Sequence, residues 1–245
     1  MKQFADLHLR PPLEEREQME KLICKATDLG YSLVAISLPP KIKQATVLFL
    51  RKTCKSHGVD FATRIDLTPK SSNALLKSLR LFRRRFQIVG VNCISKSVAR
   101  QAAKDHRVDM LAFPSSNPRK RFFDQAEARV ACQGVAAFEI DMALLLQVTG
   151  FYRMRLLSSL RKEVAIAKKN GIPIVISSNA CNPFQLRGPN DLASLALLFG
   201  MDNVSALNAV SVTPSAIVKR NREKLDSSYV ARGVRIVRRG TNCDS

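Results

Sequence analysis

Seven short apolar runs alternate along this chain with longer segments whose apolar residues recur every three to four positions, and that alternation leaves few architectures open. The runs cover residues 3–9, 32–38, 59–65, 88–92, 109–113, 135–140 and 172–176. They follow one another at roughly 25 to 35 residues, the spacing of strand-then-helix units that build a parallel sheet. Residues 171–201, GIPIVISSNACNPFQLRGPNDLASLALLFGM, show such a unit most clearly. Ile172, Ile174, Val175 and Ile176 read as a strand buried on both faces. Ser177, Ser178, Asn179, Asn182 and Pro183 then turn the chain into a polar loop that carries Arg187. Asn190 or Asp191 can cap the helix that follows, and Gly200 can end it. In a parallel α/β chain such a loop is where function usually sits, although it reads equally well as a plain connection.

Helical patterns are expected over 13–29, 44–57, 72–82, 95–106, 125–132, 153–170 and 204–210, with a last helix capped by Thr213 and running to 225. Helix thus follows helix near the C-terminus, so the eighth strand of a regular barrel is missing or replaced. No glycine-rich nucleotide or phosphate loop follows the first strand, which argues against those α/β folds. The expectation is an irregular TIM-like (β/α) barrel of about seven parallel strands. Without repeat, low-complexity segment or linker, residues 1–245 read as one domain with a short basic segment at 226–245.

Charge constrains the partner. Forty Lys and Arg stand against twenty Asp and Glu, a formal net charge of +20. So large an excess implies a polyanion: RNA, DNA or an anionic membrane surface. Its spread along the chain suits a folded domain with charged faces better than a basic tail. Three clusters stand out, at Arg80 to Arg85, at Arg119, Lys120 and Arg121, and from Lys219 to Arg239. Phe122 and Phe123, beside the second cluster, are expected to pack inward. No two of the six cysteines lie within 25 residues of each other, so no zinc spacing exists and free thiols in a reducing cytosol are expected. No secretory signal opens the chain, and no apolar run reaches the roughly 18 residues of a membrane span. A cytoplasmic protein with no membrane partner is the expectation.

A barrel of this order gathers Asp6, His8, Arg10, Ser37, Arg64, Asp66, Asn92, Ser115, Asn117, Glu139, Asp141, Ser177, Ser178 and Arg187 at the C-terminal ends of its strands. Asp6 and His8, two apart on one strand, should point the same way and could begin a metal or acid–base site. Asp6, Glu139 and Asp141 could hold Mg²⁺. Against this, the chain has only three histidines, and His57 and His106 fall at helix ends on the opposite face. No catalytic or metal-ligating residue is therefore assigned. Asp6 alternatively pairs with Arg10 or Arg64, and Arg187 with Asp6 or Asp191.

Several segments resemble one known family. They are Phe4-Ala5-Asp6-Leu7 through Arg10, the run from Leu29 to Ile36, Thr63-Arg64-Ile65, and Ile174 through Ser178. The most specific is Leu186-Arg187-Gly188-Pro189-Asn190-Asp191-Leu192-Ala193, continuing into Leu197-Leu198-Phe199-Gly200-Met201. In these the chain resembles the 30-kilodalton-type protein subunit of archaeal and eukaryotic ribonuclease P, protein component 3 in archaea, over about residues 3–225. The match is weak over about 95–165. That family is similar in fold to the polymerase and histidinol phosphatase barrels, metal hydrolases that open with Asp, His and His. Here Asp6 and His8 match, but Arg10 stands in place of the second His.

The resemblance implies a subunit of the RNA-based enzyme that removes the 5′ leader of precursor tRNA. The RNA would carry the chemistry and hold Mg²⁺, and the isolated chain would not be catalytic. Implied partners are ribonuclease P RNA, precursor tRNA indirectly, and a smaller protein subunit, with a heterotetramer open to it. The lack of a long polar C-terminal extension favours an archaeal source. Charge and position select the RNA contacts: Arg10, Arg64 and Arg187 at strand ends, with Arg83, Arg84, Arg85, Arg119, Lys120, Arg121, Arg232, Arg235, Arg238 and Arg239 outside. A metal-dependent phosphoesterase and an unspecific polyanion scaffold are the competing readings.

Overall fold

A computed structural model describes residues 3–231 and 233–237. The described strands are β1 (Phe4–Leu9), β2 (Tyr31–Ser37), β3 (Asp60–Leu67), β4 (Ile88–Asn92), β5 (Met110–Ala112), β6 (Ala137–Asp141) and β7 (Ile174–Ser177). Between them lie α1 (Arg16–Asp28), α2 (Gln44–Ser56), α3 (Ser72–Phe82), α4 (Lys96–Lys104), α5 (Gln125–Ala131), α6 (Met142–Gln147) and α7 (Gly150–Lys169). After β7 come α8 (Pro189–Ala196), α9 (Asn203–Ala209), α10 (Val212–Leu225) and a small antiparallel hairpin, β8 (Tyr229–Ala231) with β9 (Val234–Arg235).

All six neighbouring pairs from β1 to β7 are parallel, in sequence order, so the sheet curls into an irregular TIM-like barrel. Closure between β1 and β7 is thin. One bridge, Leu9 with Ala180, joins them at the C-terminal end, beside a hydrogen bond from Arg10 N–H to Ala180 O at 2.8 Å. Nearer the N-terminal end, Ala5 N–H donates instead to Val210 O at 2.9 Å. Helices α9 and α10 thus replace the eighth strand, as their succession in the sequence implies.

The inner surface is lined by small and medium side chains, among them Ala5, Ala35, Ala62 and Ala137 around Leu7, Ile88 and Met110. Ile217 and Val218 of α10 belong to this cluster, so α10 lies across the N-terminal opening and stops it. A larger apolar shell packs the helices onto the outer faces of the strands. There Phe123 stacks on Phe138 at 4.4 Å between ring centres, the inward packing expected for it.

Local signals explain most boundaries. Ser71 and Ser95 accept from the N–H groups of Ala74 and Val98, capping α3 and α4. Gly200 ends its helix at φ +88°, a backbone that glycine adopts without steric cost. Three expectations are corrected. Helix α6 is unforeseen, because six residues are too few to show a period. Helix α8 is capped through neither Asn190 nor Asp191 as first residue: Gly188 holds that place, and the Asp191 carboxylate reaches back to Gly188 N–H at 3.2 Å. Helix α10 starts at Val212, so Thr213 and Pro214 lie inside its first turn.

Candidate functional site

The chemistry of the barrel interior is set by one cation. On β3 the residues Ala62, Arg64 and Asp66 alternate inward, and on β6 Ala137, Glu139 and Asp141 do the same. Arg64 is completely buried. Its Nη1 and Nη2 donate to the two oxygens of Glu139, each at 2.6 Å. Its Nε and Nη2 donate to Asp66 Oδ1 at 2.8 and 2.7 Å, and Nη1 also reaches Leu7 O at 2.9 Å. One guanidinium therefore spans β1, β3 and β6. Ser37 extends the set to β2 by donating to Asp66 Oδ2 at 2.5 Å, and Ser177 on β7 donates to Glu139 Oε1.

Gly90 on β4 makes room for this arrangement. A Cβ there would stand 2.6 Å from Asp66 Oδ1 and 2.9 Å from Arg64 Nη2. The glycine inside an otherwise β-branched strand was the one sequence signal of this close approach. Burial pushes Asp66 and Glu139 upward in pKa, but the Arg64 guanidinium, helped by His8, overcomes it. Asp66 is held well below its usual range and Glu139 below its own.

Above this layer a cavity of about 270 Å³ opens at the C-terminal ends of the strands. His8, Asp66, Glu139 and Asp141 form its floor, with Arg10, Thr68, Asn92 and Asn179 among the residues around it. His8 Nε2 lies 3.2 Å from Asp66 Oδ2 and Nδ1 lies 3.7 Å from Glu139 Oε1, but neither nitrogen is aligned for a hydrogen bond. The expectation that Asp6 and His8 point together is corrected. Ala5 and Leu7 face the interior, and the strand pairing is irregular beyond Asp6. His8 therefore turns into the cavity while Asp6 does not line it. The Asp6 carboxylate instead accepts from His8 N–H at 3.0 Å and Ser178 N–H at 3.2 Å, and burial raises its pKa against those bonds. It pairs with neither Arg10 nor Arg64.

These donors do not fit a divalent ion. The space between Glu139 and Asp66 is filled by a guanidinium. Asp141 accepts from Ala143 N–H at 3.0 Å and from the Asn179 amide, and burial with the nearby Glu139 charge raises its pKa. Among the described residues no group of three His, Cys, Asp or Glu is placed to hold a metal. The Asp6, Glu139 and Asp141 set is not assembled.

The expected cations divide sharply by environment. Arg64 has no surface to offer RNA, which corrects its assignment as a contact. Arg121 is likewise corrected. Its Nε and Nη2 hold the Glu163 carboxylate at 2.7 and 2.5 Å, its Nη1 donates to Phe113 O at 2.6 Å, and its side chain is 4% exposed. Arg83 is taken up by Asp109, together with Arg107 O and Gln87 O at 3.2 Å. Arg187 is exposed but does not line the mouth. Its carbonyl accepts from the hydroxyl of Tyr31, the first residue of β2, at 2.8 Å, so the long loop carries it toward the opposite end of the barrel. Its side chain donates to Phe184 O at 2.6 Å and pairs with neither Asp6 nor Asp191. Arg10, Arg84, Arg85, Arg119, Lys120 and Arg235 are exposed. Arg85 also lies over the Phe82 ring, 5.8 Å from its centre. Arg232, Arg238 and Arg239 lie outside the described residues.

Comparison with known proteins gives a consistent picture. A family model described as RNase P subunit p30 matches residues 3–226. Ribonuclease P protein component 3 of Methanococcoides burtonii is 28% identical over 233 residues, covering 95% of this chain and 93% of the relative. The protein of that description from Methanosarcina mazei is 27% identical over 240 residues, covering 96% of each. A chain in the cryo-EM structure of archaeal ribonuclease P with mature tRNA superposes with a TM-score of 0.83 at 22% identity, over 95% of this chain and 98% of that one. A dihydroorotase from Campylobacter jejuni shares the fold more distantly, with a TM-score of 0.54 at 13% identity over 89% of this chain and 84% of that one.

Proposed function

The chain belongs to the RNase P subunit p30 family, and from that membership we propose how it serves its particle. It is a protein subunit of ribonuclease P, the ribonucleoprotein that removes the 5′ leader of precursor tRNA. It binds and organises the catalytic RNA, and the RNA carries the chemistry and the Mg²⁺. The observation that carries this division of labour is the buried Arg64. A guanidinium bonded to Glu139 and Asp66 leaves the barrel with no open position for an activating metal, the requirement of a metal phosphoesterase.

The exposed cations Arg10, Arg84, Arg85, Arg119, Lys120, Arg187 and Arg235 supply phosphate contacts, each releasing counterions. A smaller protein subunit pairs with the chain, and a heterotetramer is the assembly we favour. Phe151, Tyr152 and Met154, together at the start of α7 and each more than 60% exposed, support a protein contact there. The cytoplasm is the proposed compartment. Among the described residues no helix is long and apolar enough to cross a membrane.

The test is to sequence the RNA that copurifies with the chain from its own cells at moderate salt. One strongly enriched structured RNA is expected, with precursor-tRNA cleavage in the same fraction. A mixture tracking bulk RNA would leave the unspecific scaffold, because bulk electrostatics read no sequence.

A further inference from the structure

The N-terminal end of the barrel, opposite the mouth, carries a surplus of positive charge that helix electrostatics alone do not account for. Lys25, Lys55, Arg80, Lys104, Arg129 and Lys169 stand in the last turns of α1, α2, α3, α4, α5 and α7, which all end on that side. Cations there complement the helix dipole. The same effect should place acids in the first turns, yet of these six helices only α1 and α5 have one, Glu17 and Glu127. The bias is toward positive charge at one end.

The stopper helix α10 concentrates it. Asp109 is shared by two guanidiniums, Arg83 on Oδ2 and Arg220 on Oδ1, the latter at 2.8 Å. Lys224 stands beside them with no carboxylate in ion-pair reach among the described residues. Partial desolvation and the neighbouring Arg220 and Arg83 hold its ammonium below the usual lysine range, with Asp109 pulling the other way. Across from Lys224 the β8–β9 hairpin pairs Tyr229 with Arg235. Between helix and hairpin runs a groove of about 930 Å³, lined by Arg220, Lys224, Tyr229, Arg235 and His106. It is more than three times the volume of the mouth cavity, whose floor holds three carboxylates. Among the described residues Glu223 is its one carboxylate, which leaves a cationic balance.

We propose that this groove is the principal seat for the RNA backbone, with Lys224 and Arg235 meeting phosphates, so that RNA approaches the end of the barrel away from its mouth. The inference rests on the reading of the chain as an RNA-binding subunit and adds the place. A phosphate relieves the crowding of cations around Lys224, and Tyr229 offers a ring beside it for an unpaired base.

The test is salt-dependent binding of a ribonuclease P RNA transcript to the full chain. Wild type, Lys224→Ala with Arg235→Ala, and Arg10→Ala with Arg119→Ala and Lys120→Ala are compared between 50 and 200 mM salt. All substituted side chains are exposed, and a thermal melt checks that the fold is kept. The groove variant is expected to lower the slope of log affinity against log salt by about 1.4 to 1.8, at about 0.7–0.9 for each of its two phosphate contacts. Per cation removed, the rim variant is expected to lower it less. A groove variant with the wild-type slope overturns the proposal while leaving the RNA-binding reading intact. Wild type that binds this RNA no better than a ribosomal RNA fragment of equal length overturns both. Unchanged RNA binding, with loss of a protein subunit from the reconstituted particle, overturns it in favour of a protein-docking groove.

Discussion

Replacing Arg64 with methionine is expected to lower stability at pH 7 by about 3–5 kcal/mol, the usual cost of removing one partner from a buried ion pair. The reason is what stays behind. Glu139 is fully buried and the Asp66 side chain is 17% exposed, and both charges are answered by that guanidinium. Arg64→Lys keeps the charge but loses the forked geometry, so an intermediate loss is expected.

The pH dependence separates this cause from simple misfit. In the wild type Asp66 and Glu139 titrate below their unfolded values. Their contribution is therefore complete above the unfolded carboxylate range, and it is lost as pH falls through the folded values. In Arg64→Met burial dominates and raises both carboxyls. Protonation on the way down from neutral pH then recovers stability, and the gap to wild type narrows toward pH 5. Urea unfolding at pH 7 and pH 5 measures both. A gap that stays constant with pH would mean the loss comes from packing and not from stranded charge.

Arg121→Ala is expected to cost a similar 3–5 kcal/mol, roughly 6–20 °C in Tm for a chain of this size. It strands the Glu163 carboxylate and frees the carbonyls of Phe113 and Ser115 that the guanidinium satisfies. The same variant decides between two roles. As an RNA contact, Arg121 would leave Tm unchanged on removal and reduce the salt slope of RNA binding by about one. As an anchor of the loop between β5 and α5, it shifts Tm and leaves the slope unchanged below the melt. The geometry predicts the second pattern, to be read by differential scanning calorimetry and filter binding on one preparation.

The contrast between Arg121 and its neighbours Arg119 and Lys120 shows where the sequence stops being legible. The barrel was readable because most of its strands and helices are announced locally: the β-branched run of β4, the serine before α4, the glycine at 200. Which cation turns inward is a long-range matter. Glu163 lies 42 residues from Arg121, and Glu139 lies 75 from Arg64. Nothing near either arginine marks its partner. The alternation Ala62, Arg64, Asp66 did place Arg64 on the inner face, but a charge at a strand end reads as a mouth residue until its depth is known. Asp6 and His8 failed for a different reason. The two-residue period holds only for a regular strand, and β1 shifts register between Asp6 and Leu9. Arg187 was misplaced because the path of an irregular loop has no period to read. The groove beneath α10 was not legible because it is made by a hairpin too short to show alternation, folding back on that helix.

The tie between Arg64 and Glu139 also has a consequence in time. The ribosome makes Arg64 75 residues before its partner on β6, an interval of about 4–15 s at 5–20 residues per second. Through that interval the first strands carry a cation with only Asp66 to answer it, in a half-barrel that has no closed interior to put it in. The emerging N-terminal half therefore has reason to stay open until β6 arrives. Once β6 is made, a single side chain can tie β1, β3 and β6 together. A polybasic nascent chain that stays open is itself a ligand for any nearby RNA. For this subunit, the stretch of sequence between Arg64 and Glu139 is also a length of time, over which the cation is made and its principal partner is not.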